Sequence, residues 1–132
     1  MRRKVAFEIK STKKIFSDPQ FGLQNLISCI FHRINQIHLI AEAVFLLNFI
    51  KKNGGLVVDE YKRFVKEKHK SGSAKILEIE GHTLTYSNYQ TTLQTLRSAG
   101  LLEKRQGQYK LSRNFSRYLN AAMECWNSFF ES

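Results

Sequence analysis

The chain has 132 residues, 42% of them hydrophobic, and sets 21 Lys and Arg against 11 Asp and Glu for a formal net charge of +10. That length and apolar content suit one folded domain and argue against disorder as the default state. The charge attracts polyanions, and nucleic acid, an acidic membrane surface and an acidic protein partner would all feel the same field.

The first sixteen residues hold Arg2, Arg3, Lys4, Lys10, Lys13 and Lys14, with Val5, Phe7 and Ile9 alternating between them. Alternation predicts a short strand at a sheet edge, where lysines discourage unwanted pairing; a basic arm that follows a nucleic-acid backbone is the other reading. Ser17-Asp18-Pro19 predicts a helix entrance, because a capping side chain precedes a proline that fits the first turn. Leu23, Leu26, Ile27, Ile30, Phe31 and Ile34 then mark one face of a helix to about Arg33, a core or interface element.

A second helix is predicted from about Gln36 to Lys52, stopped by Asn53-Gly54-Gly55, with Lys51 and Lys52 suited to its C-terminal dipole. Ile37, Ile40, Ala41, Val44 and Leu47 form one stripe, and Leu39, Ala43, Leu46 and Ile50 form another. Apolar residues on both faces imply cover from both sides, by the preceding helix or by a second subunit. Ile37 to Ile50 is the most apolar run, but Glu42 and Asn48 interrupt it. It falls short of the roughly 18–20 residues of a membrane span, which predicts a soluble protein with no membrane partner.

Leu56-Val57-Val58 is β-prone, and Asp59 can cap a helix from Glu60 to about His69. Tyr61, Phe64 and Val65 would face inward, with Lys62, Arg63, Lys66, Lys68 and Lys70 outward. Between Lys70 and Thr85, a Ser-Gly-Ser run precedes Ile76, Leu77 and Ile79, which stand beside Glu78 and Glu80. This segment predicts either an extra hairpin turning near Gly81-His82 or a loop.

The stretch from Tyr86 to Ser112 is the most informative. Ser87 is read as the N-cap of a helix whose Tyr89, Leu93, Leu96 and Ala99 share one face. Its other face carries Asn88, Gln90, Thr91, Gln94, Thr95, Arg97 and Ser98: uncharged hydrogen-bonding groups with one arginine and no carboxylate. Gly100 supplies a left-handed stop, Leu101-Leu102 begins a strand, and Gln106-Gly107 predicts a hairpin turn into Tyr109 and Leu111. From Arg97 to Arg117 there are six basic residues and one acid, Glu103. A last helix, starting at Ser112 or Asn114, places Phe115, Tyr118, Leu119, Ala122, Trp126 and Phe129 on one stripe, widened by Phe130. Such a stripe needs cover, from the N-terminal helix or from a second copy of the chain.

Leu93, Leu96, Ala99, Gly100, Leu101, Leu102, Gly107, Tyr109, Leu111 and Ser112, in that order, resemble the second half of a winged helix-turn-helix domain, as in PadR-like regulators and archaeal winged-helix DNA-binding proteins. The matching stretch covers about a fifth of the chain. The resemblance implies a mainly α fold with a small β wing (α+β). Residues 36–112 would be the winged helix-turn-helix core, 1–35 a basic arm and added helix, and 113–132 a C-terminal helix serving a homodimer. It also implies a double-stranded DNA partner, with the helix at about 87–99 in the major groove and the wing at about 102–112 on the adjacent groove or backbone. One departure stands out: a simple helix-turn-helix leaves about three or four residues between its helices, whereas about seventeen separate His69 from Ser87.

The expected DNA-binding residues are Ser87, Asn88, Gln90, Thr91, Gln94, Thr95 and Arg97 on the helix and Lys104, Arg105, Gln106, Gln108, Lys110 and Arg113 on and after the wing. Lys62 and Lys66 on the supporting helix complete the set. Glutamine and asparagine can read adenine edges, and arginine can reach phosphate or guanine. A transcriptional regulator or a DNA-organising or partition protein of the cytoplasm, associated with the nucleoid, is the expected role. A winged helix used as a protein-interaction module is the alternative. Single-strand or RNA binding would call for exposed aromatics among the wing's basic residues, and these are not evident.

Catalysis is not expected. His32, His38, His69 and His82 lack metal-site spacing, and neither G-x-x-x-x-G-K nor G-x-S-x-G occurs, so no metal or cofactor is predicted. Cys29 and Cys125, in apolar helical patterns and without a C-x-x-C partner, are expected as buried reduced thiols.

Overall fold

Burial starts with two helices, α1 (Leu23–Ile30) and α2 (Ile40–Asn53), in a computed structural model that describes residues 22–32, 36–68 and 75–132, except for the side chains of 66–68. Ile27, Ile30 and Phe31 of α1 and its exit are buried with Ala43, Leu46, Leu47 and Ile50 of α2 in one core. The stripe of Leu39, Ala43, Leu46 and Ile50 is thus explained, since α1, the later helix and the hairpin described below pack against α2. Of the other stripe Leu47 is buried and Ile40 and Val44 half-buried, while Ile37 and Ala41 stay exposed, so the expected cover from both sides is met only in part. The expected strand at Val5–Ile9 and the Ser17-Asp18-Pro19 entrance lie outside the described residues, as does Ile34. The described part of α1 opens at Gly22 in extended conformation with no side-chain cap. A 3-10 turn at Ile37–Leu39 leads into α2, so the first residues after Gln36 wind more tightly than expected.

Strand β1 (Leu56–Val57) is short, and a 3-10 turn at Val58–Glu60 runs into a single helical turn, α3 (Tyr61–Phe64). Two expectations fail here. Asp59 makes no capping bond; the Val57 N–H instead donates to the Glu60 carboxylate at 3.3 Å. The helix also does not reach His69, because Val65 leaves it for strand β2 (Val65–Lys68), paired antiparallel with β3 (Lys75–Ile79). The apolar Ile76, Leu77 and Ile79 need a partner on each edge, and ladder bonds to the β-branched Val65 outweigh the helix propensity of the lysines. No helical face therefore collects Lys62, Lys66 and Lys68.

The remaining pairing completes a small sheet in the order β2-β3-β4, with β4 at His82–Thr85. The hairpin alternative for this segment is the one realised, turning at Glu80-Gly81, where both residues have positive φ (50° and 85°) as a tight two-residue turn requires. Leu77, Ile79 and Leu84 are buried against helix α4 (Tyr86–Ala99). A second sheet has the order β1-β6-β5, with β5 at Leu102–Arg105 and β6 at Gln108–Leu111. Its register pairs Leu56 with Tyr109, Lys104 with Tyr109 and Leu102 with Leu111. The described residues thus form an α+β fold of five helices and two small antiparallel sheets.

The last helix, α5 (Asn114–Glu131), begins where the Ser112 hydroxyl accepts the Asn114 N–H at 3.1 Å. Phe115 packs on the core, but every residue from Ser116 onward is exposed, including Trp126 at 61%, Phe129 at 71% and Phe130 at 78%. Cys125 lies on this helix and is exposed, contrary to expectation, because nothing described covers the stripe that was to bury it; Cys29 is buried, and burial pushes its thiol pKa up.

Gly100 joins α4, β5 and α5. Its φ of 91° is left-handed, its carbonyl accepts the Phe115 N–H at 2.9 Å, and an added Cβ would lie 2.8 Å from that nitrogen and 2.7 Å from the Tyr118 ring. Gly107 has a similar φ of 76°, but open space surrounds its missing Cβ. Gly107→Ala should therefore cost only the conformational penalty, roughly 1–2 kcal/mol. Gly100→Ala should add an overpacking cost of roughly 1–3 kcal/mol. Urea unfolding of both variants checks the difference.

Candidate nucleic-acid interface

Helix α4 is fixed at both ends. The residue before it, Thr85, accepts the Asn88 N–H on its hydroxyl at 3.1 Å, so the cap is Thr85 and the expected cap, Ser87, is an exposed residue of the first turn. The strand β4 carries the chain straight to Thr85, which leaves the threonine at the helix mouth. Tyr89, Thr92, Leu93, Leu96 and Ala99 are buried, while Gln90, Gln94, Arg97 and Ser98 are exposed and Asn88, Thr91 and Thr95 half-buried. The helical period thus delivers a polar outer face with one charge.

The hairpin β5–β6 divides its residues between two faces, as strand alternation demands. Lys104 and its cross-strand partner Tyr109 share one face with the buried Leu102, and the Lys104 ammonium lies 5.8 Å from the Tyr109 ring centroid. Arg105, Gln108 and Lys110 occupy the other. Arg105 is salt-bridged to Glu103. The Glu103 carboxyl is held below its usual pKa, first by a hydrogen bond from Ser112 and then by Arg105 and Arg117. Gln108 lies over Gly55, where its Oε1 would sit 2.6 Å from an added Cβ. Gln106 is exposed at the turn, with φ 53°, and Arg113 is exposed between β6 and α5.

An open groove of about 550 Å³ runs between α4, β5 and the root of α5, lined by Gln94, Arg97, Ser98, Leu102, Glu103, Lys104, Asn114 and Tyr118. Of the residues expected to bind DNA, it gathers Gln94, Arg97 and Lys104. It does not gather Arg105, Gln108 or Lys110, nor Lys62, which is exposed on α3. Lys66 is in β2, and its side chain lies outside the described residues.

Sequence reasoning missed a second cavity, of about 170 Å³, lined by Val58, Asp59, Tyr61, Tyr86, Tyr89, Gln90, Leu93, Gln94 and Tyr109. Four of the five tyrosines of the chain meet there, and their confinement to residues 61–109 was a visible signal. Tyr61 and Tyr86 have ring centroids 4.5 Å apart, and Gln90 donates its amide N–H to the Tyr86 oxygen at 2.8 Å. Gln94 lines both cavities.

Among the described residues there is no cluster of three or more His, Cys, Asp or Glu able to hold a metal, and no helix long and apolar enough to cross a membrane. The polar face depends on how α4 starts, so Thr85→Val should lower stability by ~1 kcal/mol through loss of the cap. It should also speed amide hydrogen exchange at Asn88 relative to Leu96, which a hydrogen-exchange NMR series would read.

Comparison with family models, with characterised proteins and with solved structures finds no match to this chain.

Proposed function

We propose that the chain is a winged helix-turn-helix protein that binds double-stranded DNA, with α4 as the reading helix and β5–β6 as the wing. The order α2, β1, α3, α4, β5, β6, with β1 paired to β6, supports this reading. The sheet β2-β3-β4 stands where a simple helix-turn-helix has a short turn, and it makes α3 a minor support.

One observation carries the reading. The uncharged Gln94 and the cation Arg97 on α4 converge with Lys104 of the hairpin on a single open groove. Amides suit base edges and the flanking cations suit phosphates; the Glu103 carboxylate, which also lines the groove, is paired with Arg105. Net charge of +10 supplies the long-range attraction. A transcriptional regulator or DNA-organising protein of the cytoplasm, associated with the nucleoid, is the role this chemistry serves. Residues 1–35 and 113–132 flank the reading core of 36–112.

The exposed stripe of Leu119, Met123, Trp126, Phe129 and Phe130 on α5 favours a second copy as the further partner, giving a homodimer. The same stripe is what would favour the second reading, a protein-interaction module. Size-exclusion chromatography with light scattering, with and without duplex DNA, separates the two: a dimer that co-elutes with DNA supports the first, and a monomer that ignores DNA supports the second.

Fluorescence anisotropy with a labelled duplex should show binding at low salt that weakens steeply as salt rises. No binding to any duplex at about 50 mM salt, a concentration at which phosphate contacts are strong, would overturn the reading. Gln94→Ala should reduce discrimination between duplex sequences by ~1–3 kcal/mol. Lys104→Ala should weaken all duplexes alike and lower the slope of log K against log salt by about 0.9, the share of one phosphate contact. Arg105→Ala should do the same to a smaller extent, since Glu103 already pairs with that arginine.

A further inference from the structure

We propose that the tyrosine-lined cavity between the Val58–Tyr61 turn, α4 and β6 is a binding site for a small organic cation, a compact alkylammonium that carries at least one N–H. Size is the first argument. About 170 Å³ is close to the ~150 Å³ cavity that holds one benzene ring and well below the roughly 300–1,000 Å³ of sites for drug-sized ligands, so the occupant is a single compact group.

Charge is the second argument. The lining contains Asp59 and, among the described residues, no Lys or Arg, in a chain whose net charge is +10. This is therefore no continuation of a phosphate track. Four tyrosine rings add the negative faces of their π systems, which attract cations. The chain already uses them so: the Lys75 ammonium lies 5.2 Å from the Tyr61 centroid and 5.3 Å from that of Tyr86. Lys75 does not line the cavity, and its repulsion of a bound cation is opposed by Asp59 and by Glu60 beside it, although Arg63 pairs with the latter.

An unfilled hydrogen bond is the third. Tyr89 is 2% exposed, and its hydroxyl has no partner among the described residues. A buried polar atom left so costs free energy unless something fills the site. Burial and the neighbouring Tyr109 and Glu60 push this phenol above its usual pKa, so it stays neutral and presents an acceptor oxygen. An ammonium N–H directed at that oxygen, with the charge near Asp59 and the alkyl groups against Leu93 and the rings, satisfies every feature of the lining.

Gln90 and Gln94 line the cavity and belong to the proposed reading face. A bound cation would fix their side chains, so occupancy would change DNA affinity; this consequence, unlike the site itself, rests on the DNA-binding reading.

Trimethylammonium chloride, tetramethylammonium chloride and tert-butanol provide a matched series: cation with N–H, cation without, and a neutral molecule of similar shape. Each is titrated into the full chain, free of DNA, while tyrosine ring ¹H–¹³C signals are followed by NMR, with Tyr118, outside the cavity, as internal reference. Trimethylammonium should give saturable shifts at Tyr61, Tyr86, Tyr89 and Tyr109 and none at Tyr118. Asp59→Asn, at an exposed rim position, should weaken it about tenfold. Tyr89→Phe should weaken trimethylammonium at least threefold while leaving tetramethylammonium within twofold. Absence of saturation, equal shifts with tert-butanol, or an Asp59→Asn titration unchanged from the parent would overturn the proposal. So would saturation of the same four signals by adenosine in place of the cations, since that would make the cavity a nucleobase site. Because no DNA is present, failure of the DNA-binding reading leaves these outcomes untouched.

Discussion

The backbone at Gly100 is the constraint on which most of the architecture depends. Its left-handed conformation ends α4, Leu101 N–H returns to the Leu96 carbonyl, and the Ser112 and Phe115 N–H groups bond to Leu101 and Gly100. One residue thus sets the direction of the polar helix, the hairpin that follows it and the root of the last helix. Any side chain there would collide with backbone as well as with a ring, so the junction tolerates no adjustment that keeps all three elements in place. The shared groove exists because these directions are fixed together.

Against that frame α2 acts as the internal support. It buries five residues and meets α1, α4, β1 and β6. Its inner face is given over to the core, while Ile37, Ala41 and Asn48 stay exposed, and the polar face of α4 points away from that core.

The sequence made these parts legible to different degrees. Spacing of Leu93, Leu96 and Ala99, the glycine at 100 and the Gln106-Gly107 turn marked α4 and its hairpin, since local rules decide them. Residues 60–69 misled because their helix propensity is local while the choice between helix and strand was made by Leu77 and Ile76 across a ladder. Ser87 misled for a smaller reason: Thr85, two residues earlier, reached the same set of open N–H groups first. Cys125 and the α5 stripe read as buried because amphipathic periodicity says which face is apolar and not what covers it. Of the candidate site, periodicity gave the face of α4, but the division of Lys104 from Arg105 needed the hairpin register. The tyrosine cavity was only hinted at by the grouping of four tyrosines within residues 61–109, because it is assembled from a turn, a helix and a strand far apart along the chain.

Helix α5 has 18 residues, which at 1.5 Å per residue is about 27 Å of rod. Among the described residues it is anchored near its start, at Phe115 and Tyr118 over Gly100. Mechanically this is a lever with a stiff shaft and a short fulcrum. A partner that gripped its distal aromatics would act at long range on the same glycine that aims α4, and a small rotation at the tip would reach the groove as torque.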